Sequence, residues 1–316
     1  MGLKVLVTGG AGFIGSHVCD AYLAEGWEVT ALDDLSSGQR ENVPAGAEFV
    51  EMDIRSPELP ELFRRCRFDV VNHHAAQIDV RVSVARPRDD ASINVDGLLN
   101  VLESSRRSGV RRVVYVSSGG VVYGETDDLP IEETREKAPL SPYGVSKLSG
   151  EYYLHYFRAV QGMESVALRY ANVYGPRQSP HGEAGVVAIF SLRAMNGEPL
   201  IVYGDGEQTR DYVYVGDVAS ANLLLSTLDL PPSGPPDAFA FNVGTGMETS
   251  VNDLVERVME ISGQVEVRRE DARAGELARS ALDSRKLMRL GWEPAYSLAE
   301  GLSETYRSIE AAGNRR

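Results

Sequence analysis

The sequence predicts an α/β protein built on a doubly wound parallel sheet. In the first half, short β-branched runs alternate with longer helical patterns, which is typical of a parallel sheet covered by helices on both faces. After about Tyr174 the alternation becomes irregular, so we expect a smaller α/β domain there. We predict a sheet domain at 1–173 with a return segment at about 212–245, and a second domain from 174–211 and 246–316.

The predicted elements follow from hydrophobic periodicity and breaker residues. The predicted strands are residues 4–7, 28–32, 47–50, 69–72, 113–117 and 199–203. The predicted helices are residues 14–25, 91–108, 144–159 and a run that ends at Asn196. The Pro/Gly-rich segment 175–185 and the proline-rich loop 231–236 are predicted to be irregular.

The composition disfavours several classes of function. The 316 residues carry a formal net charge of −14, whereas binding to nucleic acid requires a basic surface. No run approaches the roughly 18 apolar residues that cross a membrane, and the N-terminus lacks a signal-peptide pattern. Cys19 and Cys66 have no metal-ligand spacing and fit two free thiols in a reducing compartment. We therefore expect a cytoplasmic protein without a metal.

Gly9, Gly12 and Gly15 predict a dinucleotide-binding turn of the Rossmann type. Gly9 permits a tight turn after the first strand, Gly12 lets backbone amides approach a pyrophosphate, and Gly15 lets the helix pack closely on the strand. The N-terminus of the helix presents its positive end to the phosphates. We expect the first helical residues, Phe13 and Ile14, to contact the cofactor too.

Asp33 indicates NAD rather than NADP as the cofactor. It ends the second strand, 18 residues after Gly15, where a carboxylate accepts hydrogen bonds from the adenosine ribose and repels a 2′-phosphate. The alternative is a turn-forming aspartate in segment 33–38. The other residues predicted to bind the adenosine half are Asp34, Ser36, Ser37, Gly38, Asp53 and Ile54.

The spacing Gly-x-x-Gly-x-x-Gly and the segment 72–76, Asn-His-His-Ala-Ala, resemble the extended short-chain dehydrogenase/reductase family over nearly the whole chain. The contacts to the nicotinamide ribose that this resemblance implies are Ala75, Ala76 and Gln77, and Asn94 and Tyr170 are also expected at the cofactor site. Asn94 would steady the edge of the sheet there. For His73 and His74 we expect packing rather than metal binding, because no carboxylate or cysteine lies at ligand spacing.

Tyr143 and Lys147 are the candidate catalytic pair. They follow Ser141 and Pro142, which suit a helix start, and residues four apart share one helix face. Tyrosine has a pKa of about 10 and is a poor base at neutral pH. A neighbouring ammonium and a positive nicotinamide ring would lower that pKa. Lys147 can also bond to the nicotinamide ribose.

The segment 116–124 departs from the pattern of the family it resembles. Family members carry Ser or Thr four residues before the tyrosine that matches Tyr123, and that hydroxyl bonds to the reacting sugar oxygen. Gly119 occupies the position here, so Ser118 or an ordered water is expected to replace the hydroxyl. Relatives that eliminate water carry an acidic pair in this segment, and this chain has none there. Dehydratase chemistry is therefore disfavoured.

The second half resembles the nucleotide-sugar epimerases of the family. The substrate contacts that this resemblance implies are Asn172 on the diphosphate or the sugar, Arg210 and Arg273 on the diphosphate, Ile201 and Tyr203 on a uracil, and Glu276 on the nucleotide ribose. Arginine suits this role because its planar fork matches phosphate oxygens. Glucose-restricted relatives carry a bulky tyrosine where this chain has Ser280, so we expect room for an N-acetyl group at C2.

The implied reaction is inversion of C4 in a UDP-hexose (UDP-glucose or UDP-galactose). Tyr143 takes the O4 proton while C4 gives a hydride to NAD, and the 4-keto sugar turns and receives the hydride on its other face. A uronic acid epimerase or another NAD-dependent nucleotide-sugar enzyme is the alternative. A silent NAD-binding regulator would result if Gly119 removes essential chemistry. Helices 91–108 and 144–159 match those that pair across a homodimer in the family.

Overall fold

The computed structural model describes residues 2–180, 185–272 and 277–313. Across these three ranges, no helix has both the length and the apolar character needed to span a bilayer. The contacts divide the chain into two compact units. The first unit is Met1–Gly124, Glu133–Tyr170 and Ala219–Asn242, and the second is Glu125–Glu132, Ala171–Val218 and Val243–Arg316.

The strands are numbered in chain order. They are β1 Lys4–Thr8, β2 Glu28–Asp33, β3 Glu48–Glu51, β4 Val70–His73, β5 Arg112–Ser118, β6 Glu164–Tyr170, β7 Asn172–Tyr174, β8 Leu200–Tyr203, β9 Thr209–Arg210, β10 Tyr212–Tyr214, β11 Ala240–Val243, β12 Thr249–Ser250 and β13 Val267–Glu270.

The α-helices are numbered in the same way. They are α1 Phe13–Ala24, α2 Leu59–Cys66, α3 Val80–Ala85, α4 Pro87–Ala91, α5 Gly97–Ser108, α6 Gly119–Val122, α7 Pro142–Gln161, α8 Val186–Met195, α9 Val215–Thr227, α10 Val251–Ser262, α11 Arg285–Met288 and α12 Leu298–Gly313. Short 3₁₀ turns lie at Arg40–Asn42 and Pro236–Phe239.

A seven-stranded sheet forms the centre of the first unit, with the order β11-β6-β5-β4-β1-β2-β3. All pairings from β3 to β6 are parallel, which confirms the predicted doubly wound sheet. The strand order reverses beside β1, where Thr8 lies opposite both Leu32 and His73. Ligands of open parallel sheets bind at the carboxyl ends of the strands at such a reversal.

Apolar side chains on the strands and on the covering helices form the core of the first unit. Leu6, Leu32 and Val113 from the sheet meet Phe63 of α2 and Leu102 of α5, and all five are fully buried. Burial of each such side chain stabilises the fold by roughly 2–3 kcal/mol. This packing fixes the strand ends that carry the candidate site.

The predicted helix 91–108 differs from the structure in one respect. The helical path starts earlier, at Pro87, and passes through a π-helical turn at Ser92–Asp96 before α5. A π turn shifts the hydrogen bonds to i→i+5 and is frequent at functional sites. Hydrophobic periodicity in the sequence does not reveal the π turn, because one inserted residue changes the spacing of the apolar residues only a little.

Three two-stranded pairings occur in the second unit, β7 with β10, β8 with β13, and β9 with β12. The segment Glu125–Glu132 also belongs to this unit, which the sequence did not predict. Its Ile131 donates its amide to the Ala281 carbonyl and accepts from the Asp283 amide, each at 2.9 Å. These bonds hold a segment from the first half of the sequence against the C-terminal part of the chain.

Candidate active site

The glycine turn forms a cradle that side chains would fill. Gly9 has φ +69° and donates its amide to the Leu32 carbonyl at 2.8 Å. A Cβ on Gly15 would lie 2.2 Å from the Gly9 carbonyl oxygen, and one on Gly9 would lie 2.7 Å from the Ala75 nitrogen. Helix α1 begins after Gly12 without a capping side chain or an acidic residue in its first turn. Its first amides, at Phe13 and beyond, are therefore suited to an anion.

Asp33 lies at the end of β2 and is nearly buried. Its carboxylate accepts from the amides of Ala11 at 3.0 Å and Leu35 at 2.9 Å. Burial raises the pKa of Asp33, and these bonds oppose the rise. A Cβ on Gly38 would lie 2.7 Å from the carboxylate, so glycine keeps the space beside Asp33 open.

The other residues predicted near the adenosine have varied surroundings. Asp34 accepts from the amide and hydroxyl of Ser36. Asp53 is held by the Arg55 guanidinium, which lowers the pKa of Asp53. Ile54 is buried in the core of the first unit.

The loop after β4 is tied to the π turn. Asn94 accepts from the Gln77 amide and donates to the Gln77 carbonyl, both at 2.9 Å. Ala75 donates its amide to the Thr8 hydroxyl at 3.3 Å. Asn94 thus steadies the loop beside the strand ends.

His73 and His74 pack as expected. The Nδ1 atom of His73 lies 2.8 Å from the Thr8 hydroxyl, and its ring stacks on Tyr115. The His74 ring lies against Tyr170, whose hydroxyl accepts from Asn222 at 2.6 Å. Burial lowers the pKa of both histidines to about 3, so both are neutral at pH 7.

Tyr143 and Lys147 share one face of α7, as the spacing predicted. Ser141 caps the helix by accepting the Gly144 amide at 3.1 Å, and Pro142 occupies its first turn. The Lys147 ammonium lies 5.7 Å from the centre of the Tyr143 ring and donates to the Val116 carbonyl at 2.9 Å. The two side chains are 9% and 3% exposed, so they meet in a nearly dry environment.

The expected lowering of the tyrosine pKa is wrong for the protein's own groups. Burial raises the pKa of Tyr143 well above its usual value, and the charge of Asp90 raises it further. Burial also lowers the pKa of Lys147 to about 8, and Asp90 opposes that change. Desolvation is therefore the largest influence on the pKa of both side chains.

The two serines at the end of β5 differ in their partners. Ser117 is buried and donates to Glu151 at 2.5 Å. Ser118 is only partly buried and precedes α6, without a side-chain capping bond. The hydroxyl of Ser118 is therefore the better candidate for the role that Gly119 cannot fill.

Two buried polar groups beside the pair escaped the sequence analysis. Asp90 is fully buried and accepts from Ser146 of α7 at 2.6 Å. Glu151 pairs with the buried Arg169 at 2.5 Å. The four-residue spacings from Asp90 to Asn94 and from Lys147 to Glu151 were the available signals in the sequence.

Four of the predicted substrate residues lie on strands of the second unit. Asn172 is exposed on β7, Ile201 and Tyr203 are partly buried on β8, and Arg210 of β9 donates to the Thr209 carbonyl at 2.8 Å. Ser280 is 6% exposed. The predicted Arg273 and Glu276 fall outside the described residues.

Comparison with curated proteins and solved structures assigns the chain to a family. The UDP-glucose 4-epimerase of Mycolicibacterium smegmatis is 44% identical over 310 residues, which are 96% of this chain and 97% of that protein. The structure of Thermotoga maritima UDP-glucose 4-epimerase with UDP-glucose is 44% identical, has a TM-score of 0.92, and matches 98% of this chain and 99% of its own.

Two further structures share the fold over nearly their full length. Thermus thermophilus UDP-glucose 4-epimerase in complex with NAD is 44% identical, with a TM-score of 0.91 and coverage of 98% and 100%. Methanobrevibacter ruminantium UDP-N-acetylglucosamine 4-epimerase with UDP-N-acetylmuramic acid is 34% identical, with a TM-score of 0.92 and coverage of 98% and 99%. The model of the NAD dependent epimerase/dehydratase family matches residues 5–244. The chain therefore belongs to the NAD dependent epimerase/dehydratase family.

Proposed function

We propose that this protein is an NAD-dependent isomerase that interconverts UDP-glucose and UDP-galactose by inverting C4. The observation that carries the proposal is the buried Tyr143–Lys147 pair beside the carboxyl ends of β4 and β5. The 44% identity to UDP-glucose 4-epimerases over almost the whole chain supports the same reaction.

The first unit fits NAD. The cradle of Gly9, Gly12 and Gly15 leaves no room for side chains, and the α1 amides and Asp33 suit the diphosphate and the adenosine ribose. We assign Phe13, Ile14, Asp34, Ser36, Ser37, Gly38, Asp53, Ile54, Ala75, Ala76, Gln77, Asn94 and Tyr170 to the same site. These residues would hold NAD, and the chemistry that it would supply when bound is reversible hydride transfer with the sugar C4.

Tyr143 would take the proton of the sugar O4 hydroxyl and later return it. Because burial holds the phenol neutral in the protein alone, proton transfer to Tyr143 and away from it must be coupled to charge that ligands bring into the site. Lys147, with a pKa of about 8, is mostly protonated at neutral pH. Its ammonium can bond to a ribose hydroxyl, and Ser118 would bond to the reacting oxygen.

The second unit would hold the UDP moiety. Arg210 and Arg273 suit the diphosphate, Ile201 and Tyr203 the uracil, and Glu276 the nucleotide ribose. Asn172 would contact the diphosphate or the sugar. If these residues bind only the nucleotide, the hexose is free to turn. Inversion requires this turn, because the hydride has to return to the opposite face of C4.

We further propose that UDP-N-acetylhexosamines are substrates as well. Ser280 is small, so it leaves space for an acetamido group at C2. The structural likeness to a UDP-N-acetylglucosamine 4-epimerase supports this extension. Turnover of UDP-galactose without any turnover of UDP-N-acetylgalactosamine would contradict it.

A homodimer is also proposed, with α7 at its interface. Val145, Tyr152, Tyr156 and Val160 of this helix are 46–65% exposed, and large exposed apolar stripes mark interaction sites. The outer face of α5 instead carries Glu103, Arg106 and Arg107. Cys19 and Cys66, both described by the structure, form no disulfide, which fits the proposed reducing cytoplasm.

The test is to mix the purified protein with UDP-galactose, without added cofactor, and to follow UDP-glucose. We expect turnover with the copurified NAD, and a loss of roughly 10²-fold or more in Tyr143→Phe, because a proton-transfer group is removed. Tyr306→Phe removes a hydroxyl from a partly buried tyrosine of α12, outside the catalytic pair and the proposed interface, and should be as active as the wild type. Absence of turnover with UDP-hexoses, even with added NAD, would refute the proposal.

A further inference from the structure

We propose that Asp90 is a positioning residue of the reaction, whose buried carboxylate joins the helix of Tyr143 and Lys147 to the loop that follows β4. The inference rests on the proposed function, since it places Asp90 behind the site where the sugar reacts. Asp90 itself is not assigned a contact with the substrate.

Three elements of the first unit converge on the Asp90 carboxylate. Its Oδ1 accepts from Gln77 Nε2 in the loop and from Asn94 Nδ2 in the π turn, each at 3.0 Å. Its Oδ2 accepts from Ser146 Oγ on α7 at 2.6 Å. All three donors are neutral, and Asp90 is fully buried. A buried carboxylate is costly unless it is hydrogen-bonded, so this arrangement constrains all three elements.

The bond to Asn94 also orients the amide that grips the loop. Asn94 Nδ2 donates to both Asp90 and the Gln77 carbonyl, which leaves Asn94 Oδ1 to accept the Gln77 amide. Asp90 therefore fixes the direction of the Asn94 side chain. The Gln77 loop is thereby held in register with α7, and hence with Tyr143, through Ser146.

The charge of Asp90 also acts on the catalytic pair. Within the described ranges, the titratable groups around the pair are Asp90 of α4, His73 of β4, His74 just after it, Tyr115 of β5 and Glu151 of α7. The pKa of each histidine is about 3, and burial raises the pKa of Tyr115, so these three are neutral at pH 7. Glu151 is paired with Arg169.

Asp90 thus places a negative charge near the pair that no ion pair with Arg or Lys neutralises among the described residues. That charge raises the pKa of both Tyr143 and Lys147. Its removal should therefore lower both values, so that the acidic and the basic limb of the pH profile move in the same direction.

Two variants separate the charge from the hydrogen bonds. Asp90→Asn removes the charge but keeps an oxygen for Gln77 and Asn94, and its new amide can donate to the Ser146 hydroxyl. Ser146→Ala keeps the charge and removes the bond to α7. The matched control is Asp217→Asn, a buried carboxylate of the second unit that accepts the Ala295 and Tyr296 amides.

The experiment measures kcat against pH for C4 inversion of UDP-galactose, together with the NAD retained per purified chain and the thermal midpoint. For Asp90→Asn we expect both limbs to move toward lower pH by roughly half a unit or more. For Ser146→Ala we expect about 3–10-fold lower kcat and less retained NAD, with both limbs unmoved. Asp217→Asn should lower the thermal midpoint and leave the limbs in place.

Folded Asp90→Asn with the wild-type pH profile would overturn the charge role. If Ser146→Ala has the kcat and the retained NAD of the wild type, the bond between Ser146 and Asp90 does not position the pair. This variant supplies the test if Asp90→Asn does not fold. Failure of the proposed function is seen separately, as a wild-type protein that does not invert UDP-galactose. In that case the amount of NAD retained per chain of Ser146→Ala still shows whether the bond between Ser146 and Asp90 positions the loop after β4.

Discussion

At the scale of single residues, Lys147 opposes folding while it serves the site. Its pKa falls from 10.5 to about 8 on burial. The folded state therefore holds the proton less tightly than the unfolded state, and protonated Lys147 lowers the free energy of unfolding below pH 8. That cost disappears as the pH rises toward 10.5. A group that the fold holds at a cost is typical of functional sites.

Lys147→Met should therefore be more stable than the wild type at pH 7. Removing the buried ammonium relieves about 3 kcal/mol, and loss of its bond to the Val116 carbonyl offsets about 1 kcal/mol of that. The kcat should fall by roughly 10²-fold or more. Urea unfolding of nucleotide-free protein and initial rates are the measurements.

Lys137→Met is the matched control for this prediction. Lys137 is mostly buried but forms an ion pair with Asp237, a carboxylate that also pairs with Arg169. Its replacement removes one of these two cations from the carboxylate and should lower stability. If Lys147→Met unfolds at a clearly lower urea concentration than the wild type, the burial of the ammonium is not the dominant effect of Lys147 on the free energy of unfolding.

At the scale of elements, the start of α7 decides where the catalytic pair lies. Ser141 and Pro142 set the first turn, so Tyr143 leaves the helix at a defined angle close to the end of β5. The cap of α7 therefore links helix stability to catalysis.

Ser141→Ala should cost about 1 kcal/mol of stability and also lower kcat, because fraying of the first turn displaces Tyr143. Ser297→Ala is the matched comparison. Its hydroxyl accepts the Glu300 amide at 3.3 Å at the start of α12, far along the sequence from the pair. We expect a similar loss in thermal midpoint for both variants, but a loss of kcat in Ser141→Ala alone. Equal effects on kcat would argue against a positioning role for the cap.

At the scale of the whole molecule, a buried polar network joins strands and helices of the sheet unit. Arg169 donates to Glu151, to the Tyr123 hydroxyl and to the Glu133 carbonyl, and it is 1% exposed. Tyr123 in turn donates to Asn242 of β11 at 2.7 Å. The network thus reaches from α7 across β6 to the edge strand.

Glu151→Gln should lower the free energy of unfolding by about 3 kcal/mol, because it removes the main partner of the buried Arg169 charge and leaves it the ion pair with the more exposed Asp237. The control is Glu164→Gln, which breaks the pair with Arg112 at a side chain that is 44% exposed. Water can replace that partner, so we expect about 1 kcal/mol. Urea unfolding at pH 7 measures both. Similar losses in the two variants would refute the importance of burial here.

The sequence alone predicted the parts of this protein that depend on local pattern. The apolar runs from Val5 onward predicted a parallel sheet because both of its faces are covered. The glycines at 9, 12 and 15 predicted the turn because each lacks a Cβ that would clash. The spacing of Tyr143 and Lys147 placed them on one helix face, and the family followed from these motifs together.

The tertiary structure decided what depends on residues far apart in the chain. Asp90 meets Ser146 across 56 positions, and Ile131 bonds to Ala281 and Asp283. Periodicity carries no signal for such contacts. The pKa values of Tyr143 and Lys147 likewise depend on how completely neighbouring elements exclude water. Spacing shows which groups can meet, but only the packed fold sets the dielectric environment in which they act.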